Sequence, residues 1–320
     1  MADNQSHFSL YGKSPLYQLI ISMVVILFFG MTLMAVMIFG GGLFFGLDLL
    51  SVSGNVLTEI GEKNLNFLRY LMITQDISLF IIPAIVIRNL MRQDRRHNLS
   101  DFGAPRITEI ALLVILAFCI IPITGFTGQL NSEMNLPDWM IGIEEWMKEK
   151  EADAGNVTNL LINSDTFGVM IFNVVMISVL PAISEELIFR GVLQKIFYGF
   201  FSSGQPAIWI TAFLFSALHL QFYGFIPRFI LGLVFGYLFF WSGSLWFPVI
   251  AHFLNNAVSV VASYIQGGES ITALPDTSLW KQLLILPIPV MISVLILLYF
   301  RNKSKKDLEI VQSQSNLTNT

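Results

Sequence analysis

Eight apolar runs, each near or above the roughly 18 residues that cross a bilayer as a helix, constrain this chain more than any other feature. They lie at about 17–39, 67–90, 108–127, 166–184, 206–221, 226–241, 245–264 and 282–300. The fourth run continues through SEELIFRGVLQKIFYGFF to about residue 201, as one long tilted helix or as two pieces broken near Pro181. Composition agrees. Only 12% of residues are charged, about half the usual share, and mean hydropathy is +0.68. Such a chain cannot cover a water-soluble surface, is too apolar for disorder, and at net charge −4 does not suit nucleic acid. The single cysteine, Cys119, lies in an apolar run, which leaves no disulfide framework and no Cys-based metal cage. The fold class expected is all-α, a polytopic membrane protein of about eight spans with an intramembrane polar cavity. The first run is too long for a cleavable signal peptide and is expected to stay as a helix.

Lys and Arg in short loops set orientation. Arg88, Arg92, Arg95, Arg96 and Arg106 follow the second run, and Arg301, Lys303, Lys305 and Lys306 follow the eighth. Both clusters are expected on the cytoplasmic side of a bacterial cell membrane, with both termini. The loop at 128–165 is then external, with eight acidic residues against Lys148 and Lys150. Its DWMIGIEEWMKEKE stretch reads either as an interfacial amphipathic helix anchored by Trp139 and Trp146 or as a solvated acidic loop. The expected organisation is 1–160 for three spans and the acidic loop, 161–303 for a catalytic membrane domain, and 304–320 for a disordered tail. The pair Gly232 and Gly236 is a small-xxx-small pattern suited to close helix packing.

Charge inside a bilayer is costly, so embedded ionisable residues are functional suspects. Here they cluster between 185 and 256: Glu185, Glu186, Arg190, His219, His252 and Asn256. The other two histidines, His7 and His97, lie in polar flanks, and Asp76 stands alone in the second run. Glu186 and Arg190 are four apart and can pair on one helix face, leaving Glu185 free. His252 and Asn256 share the same spacing, as do Phe215 and His219. Glu185 and His219 lie 17 residues either side of the turn near residue 202, a common level about 20–25 Å from it if both arms are helical. A carboxylate, two imidazoles and a carboxamide at one level suit hydrolysis by an activated water, with donors for an oxyanion. No GxSxG or HExxH occurs.

The motifs Glu185-Glu186-Leu-Ile-Phe-Arg190, Phe215-Ser-Ala-Leu-His219 and His252-Phe-Leu-Asn-Asn256 resemble those of the CPBP family. That family comprises the type II CAAX prenyl endopeptidases and their bacterial relatives called Abi or bacteriocin-immunity proteins. The resemblance covers roughly residues 166–264. It implies an all-α intramembrane protease in which Glu185 with His219 activates water, His252 and Asn256 stabilise the oxyanion, and Glu186, Arg190 and Phe215 orient the site. The implied substrate is a membrane-associated peptide or a CAAX-type protein within the lipid. Two site chemistries stay open: a metal-free glutamate mechanism, or zinc held by Glu185, His219 and His252. A proton-coupled transporter and a non-catalytic immunity protein are the competing functions.

Overall fold

The computed structural model describes residues 9–47, 56–91, 103–163, 166–201, 203–266 and 279–318. Among them all regular structure is helical. In chain order the helices are α1 (Pro15–Phe45), α2 (Val56–Lys63), α3 (Leu65–Leu90), α4 (Ile107–Ser132), α5 (Ile141–Ile162) and α6 (Phe167–Phe200). They are followed by α7 (Gly204–Ala217), α8 (Phe222–Ser242), α9 (Trp246–Ile265), α10 (Leu279–Ile285) and α11 (Pro287–Thr318). Their starts follow local chemistry. The side chains of Ser14, Asn64 and Thr166 cap α1, α3 and α6 by accepting the backbone N–H three residues on.

Six of these helices, α1, α3, α4, α6, α8 and α9, are long and apolar enough to cross a membrane. The chain is thus a polytopic, all-α membrane protein. The run expected at 206–221 is the shorter α7, of 14 residues. The run at 282–300 divides between α10 and α11. The helix of α11 continues to Thr318, so the polar segment from 304 extends the last helix where a disordered tail was expected. Its Lys, Glu, Gln and Leu residues are good helix formers. His7, His97, Arg92, Arg95 and Arg96 lie outside the described residues.

Of the two alternatives for the fourth run, α6 is one continuous helix of 34 residues, about 50 Å long. The expected interruption at Pro181 is absorbed by a wider π-helical turn at Val174–Val179 just before it. The same device, a π turn at Asp76–Ile81, precedes Pro83 in α3. The two modified helices pack on each other there.

Three apolar clusters lie among the described residues, and two of them surround the motif-bearing helices. In one, Leu113, Leu116 and Ile120 of α4 meet Phe235 and Leu238 of α8, Phe247 of α9 and Phe300 of α11. In the other, Val25 of α1 and Ala84 and Ile87 of α3 pack on Ile188 and Phe189 of α6 and on Phe215 of α7. The first three spans therefore pack directly on the motif-bearing helices. Helices α7 and α8 bring backbone against backbone at Gly232, where an added Cβ would stand 3.0 Å from the Ala212 Cα and 3.2 Å from its carbonyl oxygen. The small-residue reading of that position is a steric requirement.

The cationic ends share one face of the bundle. Leu10 N–H donates to the Leu90 carbonyl at 2.7 Å, placing the start of the described chain beside the end of α3. Lys303 of α11 binds Glu109, whose other oxygen accepts from Arg106 N–H at 2.7 Å. On the opposite face, α5 forms the helix read from the acidic loop. Trp139 is 81% exposed, whereas Trp146 packs on Phe222 with ring centroids 5.2 Å apart. Glu144 ties this layer together, accepting from Lys148 Nζ at 2.6 Å and Leu136 N–H at 2.9 Å.

Two predictions follow from this packing. Gly232→Ala should lose roughly 1–3 kcal/mol through overpacking, because backbone rather than a side-chain tip opposes the new methyl. A lowered unfolding midpoint in detergent is expected, and an unchanged one would show that α7 can yield. The second concerns pH. Lys148, and then the Leu136 N–H, hold the Glu144 carboxyl below its ordinary range. A depressed carboxylate stabilises the fold above its ordinary range and loses that contribution as pH falls through the folded value. Tryptophan fluorescence should therefore report loosening of α5 below the usual glutamate range, and Glu144→Gln should remove that transition.

Candidate active site

The site is built around a buried ion pair. Glu186 and Arg190, one turn apart on α6, meet at 2.9 Å with both side chains fully buried. Arg190 is held on its other side by the Gly232 carbonyl, which accepts from Nη2 at 2.9 Å. One turn further, Gln194 donates to the Gly236 carbonyl at 3.1 Å. The Gly232/Gly236 face of α8 lets its backbone come within reach of α6, so two polar residues spaced by four find two carbonyls spaced by four. Arg190 also lies over the Phe215 ring, 4.8 Å from its centroid. Glycine thus acts here through the backbone it exposes.

The pair reaches a third helix. Glu186 Oε1, already bonded to Arg190, lies 3.0 Å from His252 Nδ1 of α9. The pair expected from the four-residue spacing therefore has a third member. A carboxylate at that nitrogen favours the Nδ1–H tautomer. The other ring nitrogen, Nε2, then faces Glu185 Oε2 at 4.0 Å. That separation is too long for a hydrogen bond and suits a shared water. Glu185 Oε2 is buried with no hydrogen-bond partner. The imidazole of His252 stacks on Phe235, 5.0 Å between centroids at 17°, which fixes the ring plane.

His219 follows the last turn of α7 and is exposed. Its Nδ1 lies 2.7 Å from the Phe215 carbonyl. Phe215 packs edge-on against both imidazoles, at 5.2 Å from His219 and 5.9 Å from His252. The FxxxH spacing therefore holds two histidines around one ring. Leu220, next in the chain, has φ 53°, left-handed backbone that a branched residue seldom adopts. Such strain is common where a functional side chain is being aimed. Asn256 donates to the Ile177 carbonyl at 3.3 Å. Pro181, four residues beyond Ile177, has no N–H to give that oxygen, and Asn256 supplies one.

The structure thus brings Glu185, Glu186, Arg190, Phe215 and His252 into direct contact and joins His219 to them through Phe215. Asn256 lies one turn beyond His252 on α9 and bonds α6. Zinc would need Glu185, His219 and His252 as a converging set. Among the described residues no three His, Cys, Asp or Glu side chains are so grouped.

Sequence reasoning passed over two members of this neighbourhood and left a third, Asp76, without a place in it. Asp76, a lone acid in α3, is buried and accepts from Ser184 Oγ at 2.8 Å, next to Glu185. Gln194 lies one turn past Arg190. Phe235, which faces His252, belongs to none of the three motifs. A signal for Gln194 was available, since it extends the Glu186–Arg190 spacing by four. Asp76 had no such signal, because its partner lies 108 residues away.

Residues 167–258, which carry all of these motifs, match the family described as type II CAAX prenyl endopeptidase Rce1-like. The resemblance read from the three motifs therefore stands, over that segment. The chain is also 26% identical over 122 residues to the uncharacterized protein YpbD of Bacillus subtilis, spanning 37% of this chain and 58% of that relative. No solved structure matches. The family is one of peptidases, and the matched segment lies among the membrane-spanning helices of this chain.

Removing either half of the buried pair should act on folding first. Glu186→Ala or Arg190→Ala leaves an uncompensated buried charge, a loss of roughly 3–5 kcal/mol. Membrane yield and thermal stability are expected to fall together. Normal stability with lost turnover would instead make the pair part of the chemistry.

Proposed function

We propose that this protein is an intramembrane endopeptidase that hydrolyses a peptide bond of a membrane-associated peptide or CAAX-type protein. The observation that carries the reading is the 4.0 Å gap between Glu185 Oε2 and His252 Nε2, two groups left facing each other once Glu186 has taken Nδ1. A water in that gap donates one proton toward each group and directs its oxygen lone pairs outward. Glu185 takes a proton as the oxygen attacks the carbonyl carbon. His219, its Nδ1 spent on the Phe215 carbonyl, keeps Nε2 to help carry that proton to the departing amine nitrogen, as the C–N bond breaks. Asn256 has a second amide N–H for the oxyanion. Arg190 and Glu186 hold His252 in place. In this arrangement His252 works beside Glu185, where the motifs alone suggested His219 there and His252 with Asn256.

Orientation follows from the shared cationic face. Arg88, Arg106 and Lys303 on one side, and the acidic α5 layer on the other, support cytoplasmic placement of the α3, α4 and α11 ends by the positive-inside rule. A bacterial cell membrane is the setting proposed, with lipid as the surrounding partner.

Glu185→Gln keeps the shape of the side chain and removes the base. In proteoliposomes it should cut a quenched-peptide panel, including a prenylated CAAX peptide, at least about 100-fold more slowly than the unsubstituted protein. Thermal stability should stay unchanged. Cleavage at equal rates by both proteins would sink the mechanism. Substrate flux into the liposomes without peptide product would favour the transporter reading.

A further inference from the structure

Asp76 is a carboxylate in the middle of a span that neither the motifs nor the reaction uses. An ionisable group at that depth carries a desolvation cost that an apolar residue would not, so it calls for a role. Asp76 opens the π turn of α3 and is buried, at 8% exposure. Among the described residues its hydrogen-bond partner is Ser184 of α6, whose Oγ donates to Oδ1 at 2.8 Å. The turn that carries Asp76 is itself backed by α1, since a Cβ on Gly30 would stand 2.9 Å from Leu79 Cδ2 and 3.3 Å from the Ser78 carbonyl oxygen.

Ser184 has one hydroxyl proton and two acceptors in reach, Asp76 and the Pro181 carbonyl at 3.2 Å. A serine within a helix ordinarily gives that proton to a carbonyl one turn back. A carboxylate only accepts, and at the shorter distance it draws the proton away from α6 and ties the helix to α3. The tie falls where α6 needs one. The π turn at Val174–Val179 and the missing N–H of Pro181 interrupt the backbone ladder just before Glu185. Asn256 of α9 holds that stretch at the Ile177 carbonyl, and Asp76 of α3 holds it at Ser184. Glu185 is the next residue, about 100° round the helix, and faces His252 Nε2 across 4.0 Å. A rotation of α6 by about 10° would move a side-chain tip, roughly 5–6 Å from the axis, by about 1 Å. A misplacement of that size at a reacting group is worth about 10²-fold in rate.

We propose that Asp76 is a positioning residue for the hydrolysis: through the Ser184 hydroxyl it fixes the rotation of α6 that sets Glu185 against His252. The role belongs to its acceptor oxygen rather than to its charge. This deepens the endopeptidase reading and rests on it for the reaction, while the coupling from α3 to His252 is measurable without turnover.

The experiment compares Asp76→Leu, Asp76→Asn and the double variant Asp76→Leu/Ser184→Ala with the unsubstituted protein. The double variant removes both partners and strands neither, unlike Ser184→Ala alone, which would leave a buried carboxylate unpaired. Peptide cleavage in proteoliposomes gives kcat and KM. In nanodiscs, nitrogen NMR of isotope-labelled histidines follows the Nε2 resonance of His252, assigned by its loss in His252→Gln. Asp76→Leu should lower kcat at least about tenfold with KM unchanged, because the orientation of the base acts on the chemical step. The double variant should lose no more than Asp76→Leu, since the two residues act through one bond. Asp76→Asn, whose carbonyl can accept the same proton, should recover most of the loss. The His252 resonance should move in Asp76→Leu and return in Asp76→Asn. Turnover that survives Asp76→Leu overturns the proposal. So does a loss in Asp76→Asn as large as in Asp76→Leu, which would assign the effect to charge, or a kcat that merely tracks the unfolding midpoint across the set. The two readings fail separately. If the unsubstituted protein cuts no peptide, the endopeptidase reading falls and the His252 resonance alone decides the coupling. Glu185-dependent cleavage that ignores Asp76 leaves that reading standing and removes the positioning role.

Discussion

A charge that has been taken out of water needs compensating partners, and Arg190 draws them from three helices at once. It meets Glu186 on its own helix, the Gly232 carbonyl on α8 and the ring of Phe215 on α7. Glu186 in turn meets His252 on α9. Buried ion pairs contribute little net stability, because desolvation offsets most of their attraction. Their consequence is geometric: any shift of α7, α8 or α9 against α6 would strand a charge or a donor. The register of these four helices is fixed by that penalty.

The close approach of α8 follows from the same demand. A carbonyl inside a helix already accepts one backbone N–H and can take a second donor only if nothing covers it. Glycine at 232 and 236 leaves both oxygens open to Arg190 and Gln194 while letting α7 pack against the opposite side. The π turns in α3 and α6 act comparably. They absorb prolines whose missing N–H would otherwise break a span, and they leave the Ile177 carbonyl for Asn256. Backbone irregularity at membrane depth is tolerated because side chains of neighbouring helices satisfy it.

The polar centre also has a boundary that the family likeness does not draw. Asp76 and Ala84 of α3, and Leu113 of α4, lie outside the matched segment 167–258, yet they touch its helices directly. Asp76 brings an additional carboxylate to the site through Ser184. The N-terminal spans are therefore part of the wall around the polar cluster, and the segment that carries the motifs packs directly on them.

The sequence by itself determined the membrane class, the helical architecture and the identity of the polar cluster. Apolar length and the cost of embedded charge are local properties, legible without knowing any contact. It also determined the Glu186–Arg190 pair, since a spacing of four on a helix is itself a contact. Only the tertiary structure decided that Glu186 is shared with His252, that Glu185 faces Nε2 across a water-sized gap, and that α6 is unbroken at Pro181. It alone showed Asp76 beside Ser184. Those facts depend on how separate helices settle against one another. That in turn depends on the summed packing of side chains far apart in the chain, for which no spacing rule exists.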